Sequence, residues 1–301
     1  MANATENVGC MAGVCVITTH QKIAYSAVSS ILAVITVLGN AWVIVALQKV
    51  STLHPPSKLL LACLACTDLC VGLITQPLHV VLLASPEGSQ AQIYIFNVFN
   101  SSAAMFAGVS LLTLTAVSVD RLLALLMGQR YRQVVTLKRT WITVALFWVF
   151  SITVAIIFFS TDFRIPIFII SIVMLFCVVT STVCYTKIYL TLRNHQAQVQ
   201  GHLQQGQTNG GGISLNTERY KRTVSSALWV QITLVICYLP YVIVATTVAI
   251  VETRTQLLDH FLEAVLTLAL FNSCLNPFLY CWKMKEVRQA VKAMVGQIFT
   301  C

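Results

Sequence analysis

The sequence predicts an all-α membrane protein, a bundle of seven transmembrane helices followed by a short amphipathic eighth helix. Of its 301 residues, 57% are hydrophobic and only 10% are charged, whereas soluble domains carry about 25% charged residues. So few charges do not cover a surface that faces water, and the high hydrophobicity excludes an intrinsically disordered chain. The charges are also spaced so that they leave seven apolar windows of helical length.

Six of these windows contain no Asp, Glu, Lys or Arg, and the second contains one acid, Asp68. Each is close to or above the ~20 residues with which a helix crosses ~30 Å of hydrocarbon. All are longer than a barrel strand and lack strict alternation, which argues against a β-barrel. The windows cover residues 23–47, 59–83, 93–119, 141–161, 165–186, 224–251 and 264–282.

The windows divide the chain into three parts. Residues 194–216, between the fifth and sixth windows, are rich in Gln and contain three consecutive glycines, which predicts a flexible cytoplasmic loop. After the seventh window, apolar residues recur at three- and four-residue spacing, which predicts an amphipathic helix on the inner membrane surface. The parts are an extracellular tail (1–22), a seven-helix domain (23–282), and a surface helix with a short cytoplasmic tail (283–301).

The basic residues predict the orientation. The segments after the first, third, fifth and seventh windows hold sixteen of the nineteen Lys and Arg, and the opposite side holds only Lys22, Arg164 and Arg254. Loops rich in Lys and Arg stay cytoplasmic, so we expect an extracellular N-terminus and a cytoplasmic C-terminus in the plasma membrane. The net charge of +9 is therefore a topology signal with an attraction to the bilayer, and nucleic acid is not an expected partner.

Asp68 is the acid inside a window. An ionisable group in hydrocarbon is costly unless it is paired or hydrated, so Asp68 is expected to face the bundle interior. The polar groups around it offer oxygen ligands for a small hard cation, or an interhelical network that only sets packing, and the two interpretations are equally good. These groups are Asn40, Ser110, Asn272, Ser273 and Asn276.

Six short motifs follow one another in order, one per expected helix. With this set and order, the chain resembles a class A (rhodopsin-like) G-protein-coupled receptor over all seven windows and the surface helix. The resemblance implies a receptor that converts binding of an extracellular ligand into activation of a heterotrimeric G protein, and no enzyme. The motifs are 39–43 (Gly-Asn-Ala-Trp-Val), 64–69 (ending Asp-Leu), 120–122 (Asp-Arg-Leu), Trp148, 237–240 (Cys-Tyr-Leu-Pro) and 276–280 (Asn-Pro-Phe-Leu-Tyr).

The resemblance also implies roles for residues. Arg121 becomes a switch at the inner end, held at rest by Asp120 and released towards Tyr185 and Tyr280 when the G protein binds. Pro240 removes a backbone hydrogen bond and makes a hinge in the sixth helix, and Pro277 does the same in the seventh, next to the switch residue Asn276. In this family the acid of the second helix commonly binds sodium. The expected ligands here are Asp68, Ser110, Asn272 and Asn276.

The chain departs from the family pattern at several points. Leu122 replaces the tyrosine of the third helix, and Tyr238 replaces the tryptophan before the proline of the sixth. Glu218 precedes the usual position of the acid that locks Arg121, and Tyr220 occupies that position. Weak restraint of Arg121 predicts raised basal activity.

The outer side of the chain narrows the resemblance. Phe96 stands where the third helix usually carries a bridging cysteine, the loop at 161–166 is very short, and Cys177 replaces the proline of the fifth helix. These features are closest to the melanocortin, cannabinoid, lysophospholipid and adenosine receptors. Leu78, instead of an acid for calcium, argues against calcium-assisted melanocortin binding, and Ala245 argues against a nucleoside.

The expected pocket is apolar, with few polar groups. Ala103 and Ala104 stand where amine receptors carry an acid, so a charged amine is not expected. An apolar lining suits a lipid-like ligand, although helix packing explains small residues there equally well. A peptide is the other ligand class, since Glu252, Asp259 and Glu263 form an acidic rim, but a solvated face is the favoured interpretation of that rim. The pocket residues are Gln76, His79, Phe99, Asn100, Ala103, Ile169, Tyr238, Tyr241, Glu263 and Leu266.

Covalent modification and two rival classes complete the expectations. Asn3 lies in a glycosylation sequon, and Cys301 is a candidate for palmitoylation. Cys10 and Cys15 bridge each other or stay free. A receptor-like protein that does not signal is the first alternative. A transporter or channel is less favoured, because it needs more polar groups along a continuous path than Asp68 supplies.

Overall fold

The computed structural model describes residues 17–50, 53–161, 164–204, 232–251, 255–283 and 288–289. Within these ranges, only the backbone is described for 195–197, 199–204 and 280–283. Seven helices are long and apolar enough to cross a membrane, which confirms the predicted bundle. They are α1 (Thr19–Lys49), α2 (Pro55–Ala84), α3 (Gln90–Met127), α4 (Leu137–Ser160), α5 (Arg164–Gln204), α6 (Ile232–Ile250) and α7 (Gln256–Lys283).

Side-chain caps set where three of the helices begin. The hydroxyls of Thr18, Ser89 and Thr136 accept hydrogen bonds from backbone N–H groups of the first turns of α1, α3 and α4. At Thr18 the cap is reciprocal, because the Gln21 side chain accepts the Thr18 backbone N–H at 2.9 Å. Each cap satisfies a donor that a helix start leaves unpaired.

Helix α2 is interrupted by one π-helical turn over Val71–Thr75. Pro77 follows directly, at the start of the segment Gln76–Ala84, and its ring has no N–H to give to the preceding turn. A π turn accommodates the missing hydrogen bond and shifts the face on which the later residues lie. The turn therefore sets where Gln76 and His79 point relative to Asp68.

Two connections differ in how well the sequence predicts them. Helix α4 ends at Ser160 and α5 begins at Arg164, so the link is as short as expected. Helix α5, however, continues to Gln204, well into the predicted loop of residues 194–216. Gln, Ala and Leu are good helix formers, and they extend the helix beyond the apolar window. The rest of that loop and almost all of the predicted eighth helix lie outside the described residues.

Small residues let the helices approach one another. A Cβ atom on Gly39 would lie 2.9 Å from Cγ of Pro277, so α1 and α7 touch there. A Cβ on Gly108 would lie 2.9 Å from Oγ of Ser151, where α3 meets α4. Close packing through small residues is what holds helices together when lipid removes the hydrophobic drive between them.

The inner and outer faces of the bundle differ as a lipid solvent requires. A buried cluster that includes Val43, Leu64, Leu111 and Leu234 joins α1, α2, α3 and α6. Large apolar side chains on other faces are exposed, for example Leu146 on α4 at 62% and Ile172 on α5 at 70%. Exposed apolar faces of this size are unfavourable in water and favourable in hydrocarbon.

Candidate functional site

The Asp68 carboxylate lies at the centre of the bundle and is fully buried. Its Oδ1 accepts hydrogen bonds from the hydroxyls of Ser273 at 2.8 Å and Ser110 at 3.3 Å. Its Oδ2 accepts one from Nδ2 of Asn276 at 2.6 Å. Three donors from α3 and α7 thus compensate for the loss of water around one buried acid.

The network continues to α1 through Asn40. Its Nδ2 donates to the backbone oxygens of Thr36 at 2.9 Å and Ser273 at 3.0 Å. Oδ1 of Asn40 is buried and has no hydrogen-bond partner among the described residues. Of the residues expected around Asp68, the structure brings Ser110, Ser273 and Asn276 into contact with it, but not Asn272. Nδ2 of Asn272 is buried and has no hydrogen-bond partner among the described residues.

A second buried acid, Asp120, lies near the C-terminal end of α3. Oδ2 accepts from Oγ of Ser57 at 2.8 Å, and Oδ1 accepts from the hydroxyl of Tyr131 at 2.6 Å. In the described part of the chain no ion pair of 4.0 Å or less joins Arg121 to Asp120. Consecutive residues on a helix point in different directions, so the resting pair implied by the resemblance is not the contact that this structure has.

Tyr185 on α5 is the phenol that the resemblance assigns to the released form of Arg121. Tyr185 is 3% exposed and accepts a hydrogen bond from Oγ of Ser118 at 2.9 Å. Its ring packs with Ile188, which lies one turn further along α5. Leu122, the residue after Arg121, packs against the same cluster, and the contact of Tyr185 with Arg121 itself stays a prediction.

The hinge residues occupy the expected helices. Pro277 lies inside α7 and touches the close-packed position Gly39 of α1. Pro240 lies within the described range of α6. Asn276 joins α7 to Asp68. The side chain of Tyr280 lies outside the described residues.

A buried cluster around His79 connects α1, α2 and α7 at the end of the bundle where α1 begins. Nδ1 of His79 is 2.9 Å from Oγ of Ser29, and Nε2 is hydrogen-bonded to Oε1 of Glu263. The imidazole also stacks on Phe99, with ring centroids 5.2 Å apart. Asp259 and Glu263 are 1% and 4% exposed, so the expectation of a solvated acidic face is wrong for both.

A deep cavity of about 90 Å³ lies between α3, α4, α5, α6 and α7. Asn100, Thr75, Ser151 and Ser273 are polar residues in a wall that is otherwise largely apolar, and no charged side chain is among its described lining. The lining includes Ala103, Ala107, Leu111, Ile169, Val173, Met174, Tyr238, Tyr241, Val242, Leu266, Ala269 and Leu270.

An outer cavity of about 70 Å³ adjoins the deep one. Asn100, Phe158, Tyr241 and Leu266 line both cavities, so the two spaces share a wall. The outer cavity also has charged residues, Lys22 and Glu263, and it includes Ile17, Gln92, Phe96, Phe99, Ala245 and Val248.

The structure separates the expected pocket residues into two groups. Phe99, Asn100, Ala103, Ile169, Tyr238, Tyr241, Glu263 and Leu266 line one or both cavities. Gln76 and His79 are fully buried and line neither. The π turn after Asp68 aims them between helices, where Gln76 donates to the backbone oxygen of Leu270 at 3.5 Å. Periodicity does not reveal such a turn, so their positions could not be read from the sequence.

Comparison with known proteins now decides the family. Residues 39–166 and 160–280 match the family described as 7 transmembrane receptor (rhodopsin family). The chain belongs to this family. It is therefore a rhodopsin-family G-protein-coupled receptor, and the predicted resemblance is confirmed.

The receptor is distantly similar to several curated relatives. It is 26% identical to trace amine-associated receptor 9 of Rattus norvegicus over 296 residues, covering 89% of this chain and 86% of the relative. It is 23% identical to melanocortin receptor 5 of Mus musculus over 275 residues, covering 88% and 82%. A 147-residue stretch, 49% of this chain and 41% of the relative, is 32% identical to the histamine H2 receptor of Homo sapiens.

Sequence reasoning missed two groups of contacts in the receptor. Ser57 and Tyr131 lie in segments that read as ordinary ends of helices, and only folding brings them onto Asp120. Ser29 on α1 gave no signal as the partner of His79. The expected sites at Asn3 and Cys301, and the cysteines Cys10 and Cys15, lie outside the described residues.

Proposed function

We propose that the receptor binds a hydrophobic, lipid-like ligand in its adjoining cavities and activates a heterotrimeric G protein at the end of the bundle that holds Arg121. The deep cavity is the observation that carries the ligand class. Its wall is apolar apart from a few hydroxyl and amide groups, which is the lining that suits apolar ligands. The polar groups, such as Asn100, orient such a ligand without holding a charge.

The same wall argues against a charged amine. An ammonium group that leaves water needs an anionic partner, and Ala103 and Ala104 line the cavity where such a partner is expected. Glu263 is the acid on the outer cavity, and it is hydrogen-bonded to His79. The relatives named for trace amines and for histamine therefore do not transfer their ligand class to this receptor.

A basic peptide is the second ligand class, and burial argues against it. Its case rested on an acidic rim at the end of the bundle where α1 begins, but Asp259 and Glu263 are almost fully buried. Glu252 lies outside the described residues. Carboxylates inside the bundle do not offer the exposed surface on which a flexible basic peptide gains long-range attraction.

The inner switch uses Asp120, Arg121 and Tyr185, and the hinges at Pro240 and Pro277 let the helices move around it, with Asn276 and Tyr280 on α7. Arg121 has no ion pair with Asp120 among the described residues, and the next residue, Leu122, packs against the cluster that contains Tyr185. A guanidinium with alternative partners supports two arrangements of similar energy, as a switch requires. The uneven distribution of Lys and Arg supports a cytoplasmic location for this end in the plasma membrane.

A panel of G proteins tests the proposal. Cells that express the receptor are exposed to lipids and to basic peptides, and second messengers are recorded for wild type, Arg121→Ala and Arg139→Ala, the last as a surface control. We expect a lipid to raise the wild-type signal, Arg121→Ala to abolish it at equal surface expression, and Arg139→Ala to retain it. Equal signals from wild type and Arg121→Ala would overturn the switch, and a response only to peptides would overturn the ligand class.

A receptor-like protein that does not signal remains the alternative function. The departures at Leu122 and Tyr238 favour it, whereas Arg121, Pro240 and Pro277 favour signalling. In the same panel, ligand binding without a response in any G-protein pathway would support the silent alternative.

We also propose that sodium binds at Asp68. The residues present fit the ion, because Asp68 and Ser110 supply oxygen atoms and the buried Oδ1 of Asn40 has no partner among the described residues. Ser273 fits better than Asn272, since its hydroxyl touches the carboxylate. Sodium chloride should raise the thermal stability of the purified wild type more than potassium chloride does, and Asp68→Asn should remove that difference. An equal effect of both salts on wild type would overturn the site.

A further inference from the structure

The outer cavity contains one cation whose partner is accessible to solvent. Lys22, at the start of α1, lines the cavity. Its Nζ lies 2.5 Å from Oε1 of Glu87, in the connection between α2 and α3. The Lys22 side chain is 19% exposed, whereas that of Glu87 is 58% exposed. The ion pair thus joins a cavity group to a surface group.

The acid in the same cavity is already bound. The Glu263 carboxylate is 4% exposed and is hydrogen-bonded to His79, which contacts Ser29 through its other nitrogen. Lys22 and Glu263 are the charged residues among the described lining of this cavity. With Glu263 bound to His79, Lys22 carries the exchangeable charge, and that charge is positive.

Exchange at Lys22 costs little. An ion pair with an exposed carboxylate contributes little to stability, because water competes for both groups. An anion held inside the cavity is more weakly hydrated, and its charge-assisted hydrogen bond with the ammonium is correspondingly stronger. A ligand anion that reaches the cavity therefore competes well with Glu87.

The deep cavity accounts for the rest of such a ligand. It shares Asn100, Phe158, Tyr241 and Leu266 with the outer cavity and has no charged residue in its described lining. A short chain of methylene groups that passes these four residues leaves water for an apolar wall, which is favourable for each methylene group buried.

We propose that the ligand is a single-chain amphiphile with an anionic headgroup, which takes the place of Glu87 on Lys22 while its alkyl chain fills the deep cavity. This assignment rests on the proposed hydrophobic ligand class and adds the charge and the position of the headgroup. A medium-chain carboxylate and a medium-chain phosphate monoester share the required chemistry, and their short chains suit cavities of about 90 and 70 Å³.

Direct binding to the purified receptor in nanodiscs tests the assignment, with binding to empty nanodiscs subtracted. The radiolabelled probes are octanoate, octyl phosphate and the neutral 1-octanol, all with the same chain. We expect at least one anionic probe to bind wild type roughly 10-fold more tightly than the neutral probe, the size of one charge-assisted contact. The tighter of the two anionic probes identifies the carboxylate or the phosphate source.

Two variants should change the affinity for the anionic probe in opposite directions. Lys22→Gln should remove the preference for the anionic probe, whereas Glu87→Gln should strengthen anionic binding because the competing carboxylate is gone. Binding of the neutral probe should change much less than binding of the anionic probe in both variants. Lys22→Arg should keep most of the preference, and Lys58→Gln, whose ammonium donates to the backbone oxygen of Val50, should keep all of it.

Each contrary result has a separate meaning. If Lys22→Gln and Glu87→Gln weaken anionic binding equally, the ion pair is only structural and the headgroup assignment is overturned. If the neutral probe binds as tightly as both anions, the headgroup assignment is also overturned, but the proposed hydrophobic ligand class survives. If none of the three probes binds, both proposals are overturned.

Discussion

The hydrogen bond between Asp120 and Tyr131 is a single contact on which we expect the stability of the Arg121 end of the bundle to depend. The carboxylate accepts one hydrogen bond on each oxygen, from Tyr131 at 2.6 Å and from Ser57 at 2.8 Å. The Tyr131 ring also packs against His54, with centroids 5.0 Å apart. Asp120, Ser57 and Tyr131 thus join α3, α2 and the turn after α3. The Asp120 carboxylate acts here as an acceptor for two hydroxyl groups.

We expect Tyr131→Phe to lower the free energy of unfolding by ~1.5–3 kcal/mol, because it removes a hydrogen bond to a buried charged group and keeps the ring. Thermal unfolding of the detergent-purified receptor measures the change. Tyr94→Phe is the matched control, since Tyr94 is 61% exposed, and it should leave the melting temperature unaltered. Equal melting temperatures for Tyr131→Phe and wild type would show that the carboxylate does not depend on this phenol.

At the scale of elements, the close approach between helices decides whether a glycine can be replaced by a larger residue. Gly39 faces the rigid ring of Pro277, whereas Gly108 faces the hydroxyl of Ser151. Oγ of Ser151 has no hydrogen-bond partner among the described residues, so it rotates away at little cost. A Cβ atom added at either glycine would lie 2.9 Å from its nearest neighbour. At Gly39 the proline ring would have to move, whereas at Gly108 only the serine hydroxyl would.

We expect Gly39→Ala to destabilise the receptor by ~1–3 kcal/mol through overpacking, although Ala in a helix is more favourable than Gly by ~1 kcal/mol. Gly108→Ala should be close to neutral or stabilising. Melting temperatures of the two variants, compared with wild type under one set of conditions, measure the difference. A greater loss for Gly108→Ala than for Gly39→Ala would contradict the packing of α1 on α7.

At the scale of the whole molecule, the proposed switch lacks its resting ion pair. Among the described residues Asp120 and Arg121 are not paired, and Tyr185 is buried with its hydroxyl on Ser118. In sequence, Tyr220 occupies the position of the acid that restrains this arginine in the family. Both observations favour the arrangement that contacts a G protein.

We therefore expect basal signalling above that of cells without the receptor, and a reduction by Tyr185→Phe. Loss of one hydrogen bond of ~1 kcal/mol shifts a two-state population roughly 5-fold. Second-messenger assays without added ligand, normalised to surface expression, measure the effect. Tyr189→Phe is the control because Tyr189 is 54% exposed; basal signals at the level of empty cells would contradict the expectation.

The sequence by itself determined the class of solvent, the number of helices and the family, because each depends on local composition or on short motifs. Seven charge-free or nearly charge-free windows are enough to define membrane helices, since lipid leaves a spanning chain few alternatives. The burial of Asp68 followed from the same argument. The end of α5 did not, since polar residues with good helix propensity extend a helix beyond any apolar window.

Only the tertiary structure decided which polar groups meet. The π turn in α2 places Gln76 and His79 between helices. The hydrophobic periodicity of the sequence does not predict this turn. Ser57 lies 63 residues from its partner Asp120, and Ser29 lies 50 residues from His79, so these contacts depend on how whole helices pack. The composition of a segment predicts whether its side chains face lipid, water or the bundle interior. Which residues a side chain contacts depends on how all the helices pack together.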